Sequence, residues 1–280
     1  MESFTHSIIK SDGSQVPFLP ERLIESLERV GANEGLIRLI TEQVSGQLRS
    51  GTKSSEIYRL VYQELKRRSR PLAAKYKLKR AIQELGPSGF PFEAYIGEIF
   101  RYLGYEVQVG VTLQGRCVSH EVDVLADRKD RRVFVECKFG NTANKKVDVK
   151  VALYIHSRVQ DLNSMWRKEE RWATATLENW IVTNGEFTED AVKYGICSGL
   201  HLVSWRFPQQ GNLKDLIENS GLYPITALGS ITQSDQQHLL SRGIVLARDL
   251  LTKPFVLEDL HLPASRIERC LEEVRGLCVD

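Results

Sequence analysis

Residues 120–138 read HEVDVLADRKDRRVFVECK, two runs in which apolar and charged residues alternate around a charged turn. Alternation with a period of two predicts a pair of adjacent β-strands joined as a hairpin. In the first run Glu121 and Asp123 share one face, and Val122 and Val124 share the other. The hairpin therefore carries carboxylates on a strand that is otherwise apolar enough to lie inside a sheet.

The second run of the hairpin places Glu136 and Lys138 on one face. If Asp127 pairs with Arg132 across the turn, the register sets Asp123 opposite Glu136. Two carboxylates that face each other in a sheet repel, and a divalent cation with oxygen ligands compensates such a pair. The hairpin therefore predicts a metal site.

Outward from the hairpin, strand and helix patterns alternate, which predicts an α/β domain with a mixed sheet over residues 90–208. A Gly/Pro-rich joint, GPSGFPF at 86–92, precedes an amphipathic helix that stops at Gly104. Residues 4–88 predict a mainly helical domain with a β-hairpin at its start, and residues 211–280 a small helical domain. The predicted fold class is thus multidomain, with an α/β centre between two mainly α parts.

Composition adds less than the motifs do. The 280 residues are 42% hydrophobic and 26% charged, with a formal net charge of +2, as in ordinary globular proteins. No apolar run approaches about 18 residues, and no secretory signal pattern opens the chain, so we expect a cytoplasmic protein without a membrane partner. The run Lys66–Arg80 holds eight basic residues and no acidic one. It indicates either a solvated helix face or a surface that meets phosphate groups.

The spacing of Asp123, Glu136 and Lys138 resembles the D…ExK core of the PD-(D/E)xK nuclease superfamily. The resemblance implies that Asp123, Glu136 and the main-chain carbonyl of Cys137 bind Mg²⁺, and that Lys138 positions the attacking water. A hard cation there would polarise a phosphodiester and lower the pKa of its bound water. The chain is thereby expected to be a metal-dependent endodeoxyribonuclease acting on double-stranded DNA.

The preceding helix, FEAYIGEIFRYLGYEV, resembles the opening of Mrr-like type IV restriction endonucleases, in which a helix glutamate completes the metal site. Glu93 falls at helical spacing with Ile96 and Phe100 on the buried side, whereas Glu98 falls on the wetter side. We select Glu93 and keep Glu98 as the alternative. The resemblance also implies defence against foreign or modified DNA.

Several basic residues flank the predicted site. His120 precedes the first strand and is expected either to contact phosphate or water, or to serve as a structural histidine. Lys145, Lys146, Lys150 and Arg158 follow the second strand. The last three are expected to line one helix edge, facing either a backbone phosphate or solvent.

The opening IIKSDGSQVPFLPERLIESLERVGA resembles the ATP-cone, the regulatory module of ribonucleotide reductases and their repressor, over residues 4–88. Phe18 matches the family pattern, whereas Ser11 stands where the family has a second basic residue. Because no GxxxxGK[ST] loop is present, ATP or dATP is expected as a regulatory ligand that controls oligomeric state. The resemblance implies a nucleotide site formed by Lys10, Gly13, Arg22, Ser54, Tyr76 and Arg80.

The segment 211–280 resembles helix-hairpin-helix or SAM-like units, which implies contact with a DNA backbone or docking to another module. Two other functions stay open. A nuclease fold without activity would make the chain a nucleotide-responsive DNA-binding regulator, and the compact D…ExK hairpin also suits a junction-type DNA repair nuclease.

Overall fold

The computed structural model describes residues 6–10, 12–141 and 146–278. Ser11 and Lys145, which the sequence singled out, lie outside the described residues. No helix within the described ranges is long and apolar enough to cross a membrane.

The N-terminal part packs four helices beside a small sheet in which β1 lies between β2 and β3. β1 and β2 form the predicted antiparallel hairpin, and the turn between them includes Gly13 at φ 83°. Leu27, Ile40 and Val61 are fully buried in the helical core. The elements are β1 Ser7–Ile9, β2 Gln15–Pro17, α1 Pro20–Arg29, α2 Glu34–Gln47, β3 Thr52–Lys53, α3 Ser54–Arg68 and α4 Arg70–Gln83.

The central part is a five-stranded mixed sheet in the order β10-β8-β6-β5-β4. β4, β5 and β6 are antiparallel, whereas β6, β8 and β10 run parallel, and a separate parallel pair joins β7 to β9. The elements are α5 Phe90–Tyr102, β4 Glu106–Gln114, β5 Ser119–Arg128, β6 Arg131–Lys138, β7 Lys146–Val147, α6 Val149–Trp166, β8 Thr176–Thr183, β9 Glu186–Phe187, α7 Glu189–Cys197 and β10 His201–Val203.

The register predicted for the β5–β6 hairpin is confirmed, because Asp127 pairs with Arg132. Pairing continues to Arg128 and Arg131, which leaves a two-residue turn where Lys129 has φ 49°. The count along both strands therefore sets Asp123 opposite Glu136, one position beyond the last paired residues.

The predicted alternation of faces along β5 is wrong at one point. Val124 packs in the cluster under α5, but Val122 packs in the cluster under α6. Gly110 of β4, which lies across from Asp123 by count, has φ 64°, and the recorded pairing skips this position. The left-handed backbone at Gly110 accounts for this break in the alternation of side chains, since glycine adopts that conformation without steric cost. Asp123 therefore lies at the point of β5 where the alternation of side chains between the two faces of the sheet is interrupted.

Helices cover both faces of the sheet. α6 packs on one face, and α5, α4 and the C-terminal helices share the core on the other face. Tyr95 of α5 donates a hydrogen bond to the Leu222 carbonyl at 2.6 Å, and Thr226 donates to the Ala81 carbonyl at 2.6 Å. The C-terminal elements are α8 Leu213–Ser220, α9 Gln233–Ser241, α10 Asp249–Thr252, α11 Phe255–Glu258 and α12 Ala264–Cys278. The predicted multidomain layout is therefore confirmed.

Candidate active site

The four predicted catalytic side chains converge where β5 and β6 stop pairing. Asp123 lies on β5, Glu136 and Lys138 end β6, and Glu93 lies in the first turn of α5. The charges of Glu136 and Lys138 act on both Glu93 and Asp123. Glu98, the alternative, forms an ion pair with Arg101 on its own helix.

Asp123 is a partly buried carboxyl group with the negatively charged Glu136 nearby. Burial, with the negative charge of Glu136, raises its pKa to about 7. The main-chain N–H of Cys137 donates to Asp123 Oδ2 at 2.7 Å. The N–H and C=O groups of a strand residue point to the same side of the strand. The Cys137 carbonyl therefore also points from β6 toward β5, on the side where Asp123 lies. With a pKa of about 7, Asp123 is only partly ionised at neutral pH in the metal-free protein.

Glu136 is 3% exposed and is held between two cations. Lys138 Nζ donates to Oε1, and Arg158 Nη1 donates to Oε2 at 2.8 Å. Arg158 also donates to the Glu121 main-chain carbonyl. Burial disfavours the charged form of Lys138, but the Glu136 carboxylate more than offsets this, so the pKa of Lys138 is raised.

Arg158 is the residue that the sequence placed in the wrong environment. It was expected on a helix edge facing phosphate or solvent, whereas it points inward to Glu136. Lys146 belongs to β7 rather than to that helix, and Lys150 is exposed in the first turn of α6. The signal was available, because Arg158 lies three residues after the buried Ile155.

The donor set is consistent with a hard cation. The negative charge of Glu136 acts on both Glu93 and Asp123, and burial with the charge of Glu121 raises the pKa of Glu93. Within residues 6–10, 12–141 and 146–278, no three histidine, cysteine or carboxylate side chains are arranged to hold a metal by themselves. The fitting ligands are thus two carboxylates and a main-chain carbonyl, with water or substrate oxygens completing the shell as Mg²⁺ prefers.

His120 has a structural partner. Its Nε2 donates to Asp161 Oδ2 at 2.8 Å, since a carboxylate only accepts. Asp161 also accepts from the main-chain N–H groups of Cys117, at 2.8 Å, and of Val118, at 3.3 Å. The structural interpretation of His120 therefore fits, and Asp161 of α6 fastens the β4–β5 loop.

Loss of the Asp161 carboxylate is expected to free that loop. The hydrogen bond from His120 holds the pKa of Asp161 at about 2, below its ordinary value near 4. The stabilisation is thus present above about pH 4 and is lost as the pH falls through about 2. In Asp161→Ala, amide hydrogen exchange at Cys117 and Val118 should accelerate about tenfold at neutral pH. Unchanged exchange would contradict the assignment.

A cavity of about 270 Å³ lies between the β1–β2 hairpin, α1, α3 and α4. Four of the six predicted nucleotide contacts line it: Lys10, Arg22, Ser54 and Tyr76. Gly13 is not among its lining residues but forms the hairpin turn, with its N–H donating to the Lys10 carbonyl at 3.0 Å. Arg80 is also outside the lining, and its Nε donates to Glu84 at 3.1 Å.

Tyr58 is a cavity residue that the sequence analysis missed. Its buried hydroxyl has no hydrogen-bond partner among the described residues, and burial strongly raises its pKa. Its ring stacks on Tyr76 at a centroid distance of 5.2 Å and on Tyr62 at 6.4 Å. A buried polar group without a partner is costly, so a ligand that reaches it has a hydrogen bond to make.

Three family models match the chain in sequence. They are the ATP cone domain over residues 6–85, the restriction endonuclease model Mrr_cat over 86–205, and the AF1548-like C-terminal model over 223–278. These matches confirm the two predicted resemblances. The third model covers most of the segment in which the sequence resembles helix-hairpin-helix or SAM-like units.

A curated protein and a solved structure each match about two thirds of this chain. An uncharacterized protein of Archaeoglobus fulgidus is 34% identical over 173 residues, which are 61% of this chain and 93% of that protein. The crystal structure of AF1548, titled a protein of unknown function, shows a TM-score of 0.55 at 29% identity, covering 68% of this chain and 98% of that one. The restriction endonuclease MspJI in complex with a 27-mer oligonucleotide matches at a TM-score of 0.34 and 16% identity, covering 61% of this chain and 36% of MspJI.

Proposed function

Because the chain belongs to the family of the Archaeoglobus fulgidus protein and joins an ATP-cone domain to a restriction endonuclease domain, we propose that it is a nucleotide-regulated, Mg²⁺-dependent endonuclease that cuts double-stranded DNA. The observation that carries the proposal is the meeting of Glu93, Asp123, Glu136 and Lys138 at one end of the β5–β6 hairpin. The resemblance to type IV enzymes supports a role against foreign or modified DNA, and we propose that the protein acts in the cytoplasm.

Each residue of this site has a proposed role. Asp123, Glu136 and the Cys137 carbonyl would hold Mg²⁺, and Glu93 would assist from α5 without being a direct ligand. When bound, the ion supplies a Lewis acid for the phosphoryl oxygen and lowers the pKa of water. The Glu136 carboxylate raises the pKa of Lys138, so the protonated ammonium group can donate hydrogen bonds that orient the attacking water or neutralise phosphate charge.

The N-terminal cavity is the proposed site for ATP or dATP. Lys10 and Arg22 lie on separate elements of its wall and supply charged donors that suit phosphate groups. Tyr76 of α4 also lines the cavity, and one residue further on Lys77 donates to the Thr226 carbonyl of the C-terminal part at 2.8 Å. A nucleotide that selects one position of α4 would thus change contacts outside the cavity, and we propose that it controls homo-oligomer assembly by this route.

Removing Arg22 tests the nucleotide site. A hydrogen bond to a charged group contributes about 1.5–3 kcal/mol, so Arg22→Ala should weaken ATP binding about 10- to 100-fold in isothermal titration calorimetry. Arg38→Ala is a matched control, since the Arg38 side chain is 83% exposed on α2 and lies away from the cavity lining. Equal ATP affinities for the two variants would contradict this site.

The proposed activity is tested by offering linear and four-way-junction duplexes with Mg²⁺ and with EDTA. Mg²⁺-dependent cutting of the linear duplex is expected. Cutting confined to the junction would assign the chain to repair of branched DNA. Binding of both duplexes without any cutting would assign it to nucleotide-responsive regulation.

A further inference from the structure

A second, larger cleft of about 850 Å³ opens between α1, α4 and the segment that follows β10. Five basic side chains line it: Arg29, Lys75, Lys79, Arg206 and Lys214. Two acidic side chains also line it, but both are engaged. Glu218 pairs with Lys214 at 3.1 Å, and Asp215 accepts from the Gly211 N–H and from Asn212 Nδ2, each at 2.9 Å. The cleft therefore carries an excess of positive charge.

Two of these cations are held close to each other. Lys79 Nζ lies 5.9 Å from the centre of the Trp205 ring, which is 6% exposed. Burial and the positive charge of Arg206 lower the pKa of Lys79. Arg206 Nε lies 3.7 Å from a carboxylate oxygen of Glu186. A bound anion would relieve the repulsion between Lys79 and Arg206.

The cleft opens at the same edge of the sheet as the candidate active site. The parallel register aligns Cys137 of β6 with Val182 of β8 and Val203 of β10, so Trp205 leaves the sheet just beyond the level of Lys138. Neighbouring strands lie about 4.8 Å apart, which separates β6 from β10 by roughly 10 Å. Phosphates of one DNA strand recur about every 3.4 Å along the helix axis. About three nucleotides span this distance.

We propose that the cleft binds the sugar–phosphate backbone of the nucleic acid, a few nucleotides from the bond that is cut. This inference rests on the proposed function. Its basic side chains come from both sides of the domain junction, Lys75 from the ATP-cone and Arg206 from the nuclease, as a ligand extending along the sheet edge requires. The cleft also shares Ser26 and Tyr76 with the nucleotide cavity. Nucleotide and nucleic acid therefore contact the two sides of one wall, and their affinities are coupled reciprocally.

The test is fluorescence anisotropy of a labelled short duplex in EDTA, measured over a range of salt concentrations with the full chain. Arg206→Ala and Lys75→Ala should each weaken binding about tenfold and reduce the slope of log affinity against log salt by about 1, as expected for one lost phosphate contact. Lys193→Ala is the matched control, because Lys193 is an exposed lysine of α7 outside the cleft.

The outcomes separate the two proposals. If the wild type binds and cuts the duplex but both cleft variants keep its affinity and slope, only the cleft is overturned. If the wild type does not bind the duplex, the proposed function fails and the cleft fails with it. ATP titrations of the same variants identify the other source of phosphate groups: an unchanged stoichiometry is expected, whereas loss of one of two ATP equivalents would assign the cleft to a second nucleotide and overturn the proposal.

Discussion

Replacing Asp123 by asparagine is expected to reduce DNA cleavage at least about 100-fold without destabilising the fold. The variant removes a proposed metal-binding carboxylate but keeps its shape. An asparagine oxygen still accepts the hydrogen bond that Cys137 N–H now donates to Asp123 at 2.7 Å. Activity is measured on duplex DNA with Mg²⁺, and stability by thermal unfolding in EDTA.

The effect of Asp123→Asn on the unfolding temperature has a predictable sign. The pKa of Asp123, about 7, is above its ordinary value, so ionisation is less favourable in the folded state. Its contribution is most favourable below about pH 4 and is lost as the pH rises through 7. Above pH 7, Asp123→Asn should therefore unfold at the same temperature as the wild type or higher. Asp190→Asn, an exposed change on α7, should keep full activity. Equal cleavage by wild type and Asp123→Asn would contradict the metal site.

Removing Arg158 is expected to have the largest effect on stability. Arg158 holds the buried Glu136 carboxylate at 2.8 Å, and truncating one partner of a buried ion pair leaves a poorly compensated charge. Arg158→Ala should lower the free energy of unfolding by about 3 kcal/mol in urea titrations. Arg131→Ala breaks the more exposed pair with Glu178 and should cost less than about 1 kcal/mol.

The same variant reports on the metal without any cleavage assay. Arg158 occupies one oxygen of Glu136, so its loss frees that oxygen for a cation. Added Mg²⁺ should therefore raise the unfolding temperature of Arg158→Ala more than that of the wild type, because a ligand that binds the folded state stabilises it. Equal shifts in the two proteins would show that Mg²⁺ does not use Glu136.

The hairpin could be predicted from sequence because its information is local. Strand periodicity and a short turn fix the pairing of Asp127 with Arg132, and with it the approach of Asp123 to Glu136. The change of faces at Asp123 could not be predicted in this way. It depends on the backbone conformation of Gly110 in the neighbouring strand, and the φ angle of a glycine inside a strand cannot be predicted from the sequence.

Side chains that reach the site from distant elements were harder to place. Glu93 followed from helical spacing and a family motif, whereas Arg158 arrives from a helix that begins after the ExK strand, and its pairing with Glu136 is a tertiary contact. The nucleotide cavity shows the converse. The family resemblance predicted that Arg80 contacts the nucleotide, whereas its side chain hydrogen-bonds to Glu84. No motif pointed to Tyr58, whose buried hydroxyl belongs to a residue of the cavity wall.

The most direct measurement is the conversion of supercoiled plasmid by the wild-type protein in Mg²⁺ and in EDTA, each with and without ATP, beside Asp123→Asn. A metal-dependent, nucleotide-regulated nuclease should give nicked or linear plasmid with Mg²⁺, at a rate that ATP changes, and intact plasmid with EDTA or with the variant. Intact plasmid under every condition would contradict a metal-dependent nuclease at Asp123, Glu136 and Lys138. Cutting in EDTA or by the variant that equals the cutting by the wild type in Mg²⁺ would contradict it as well.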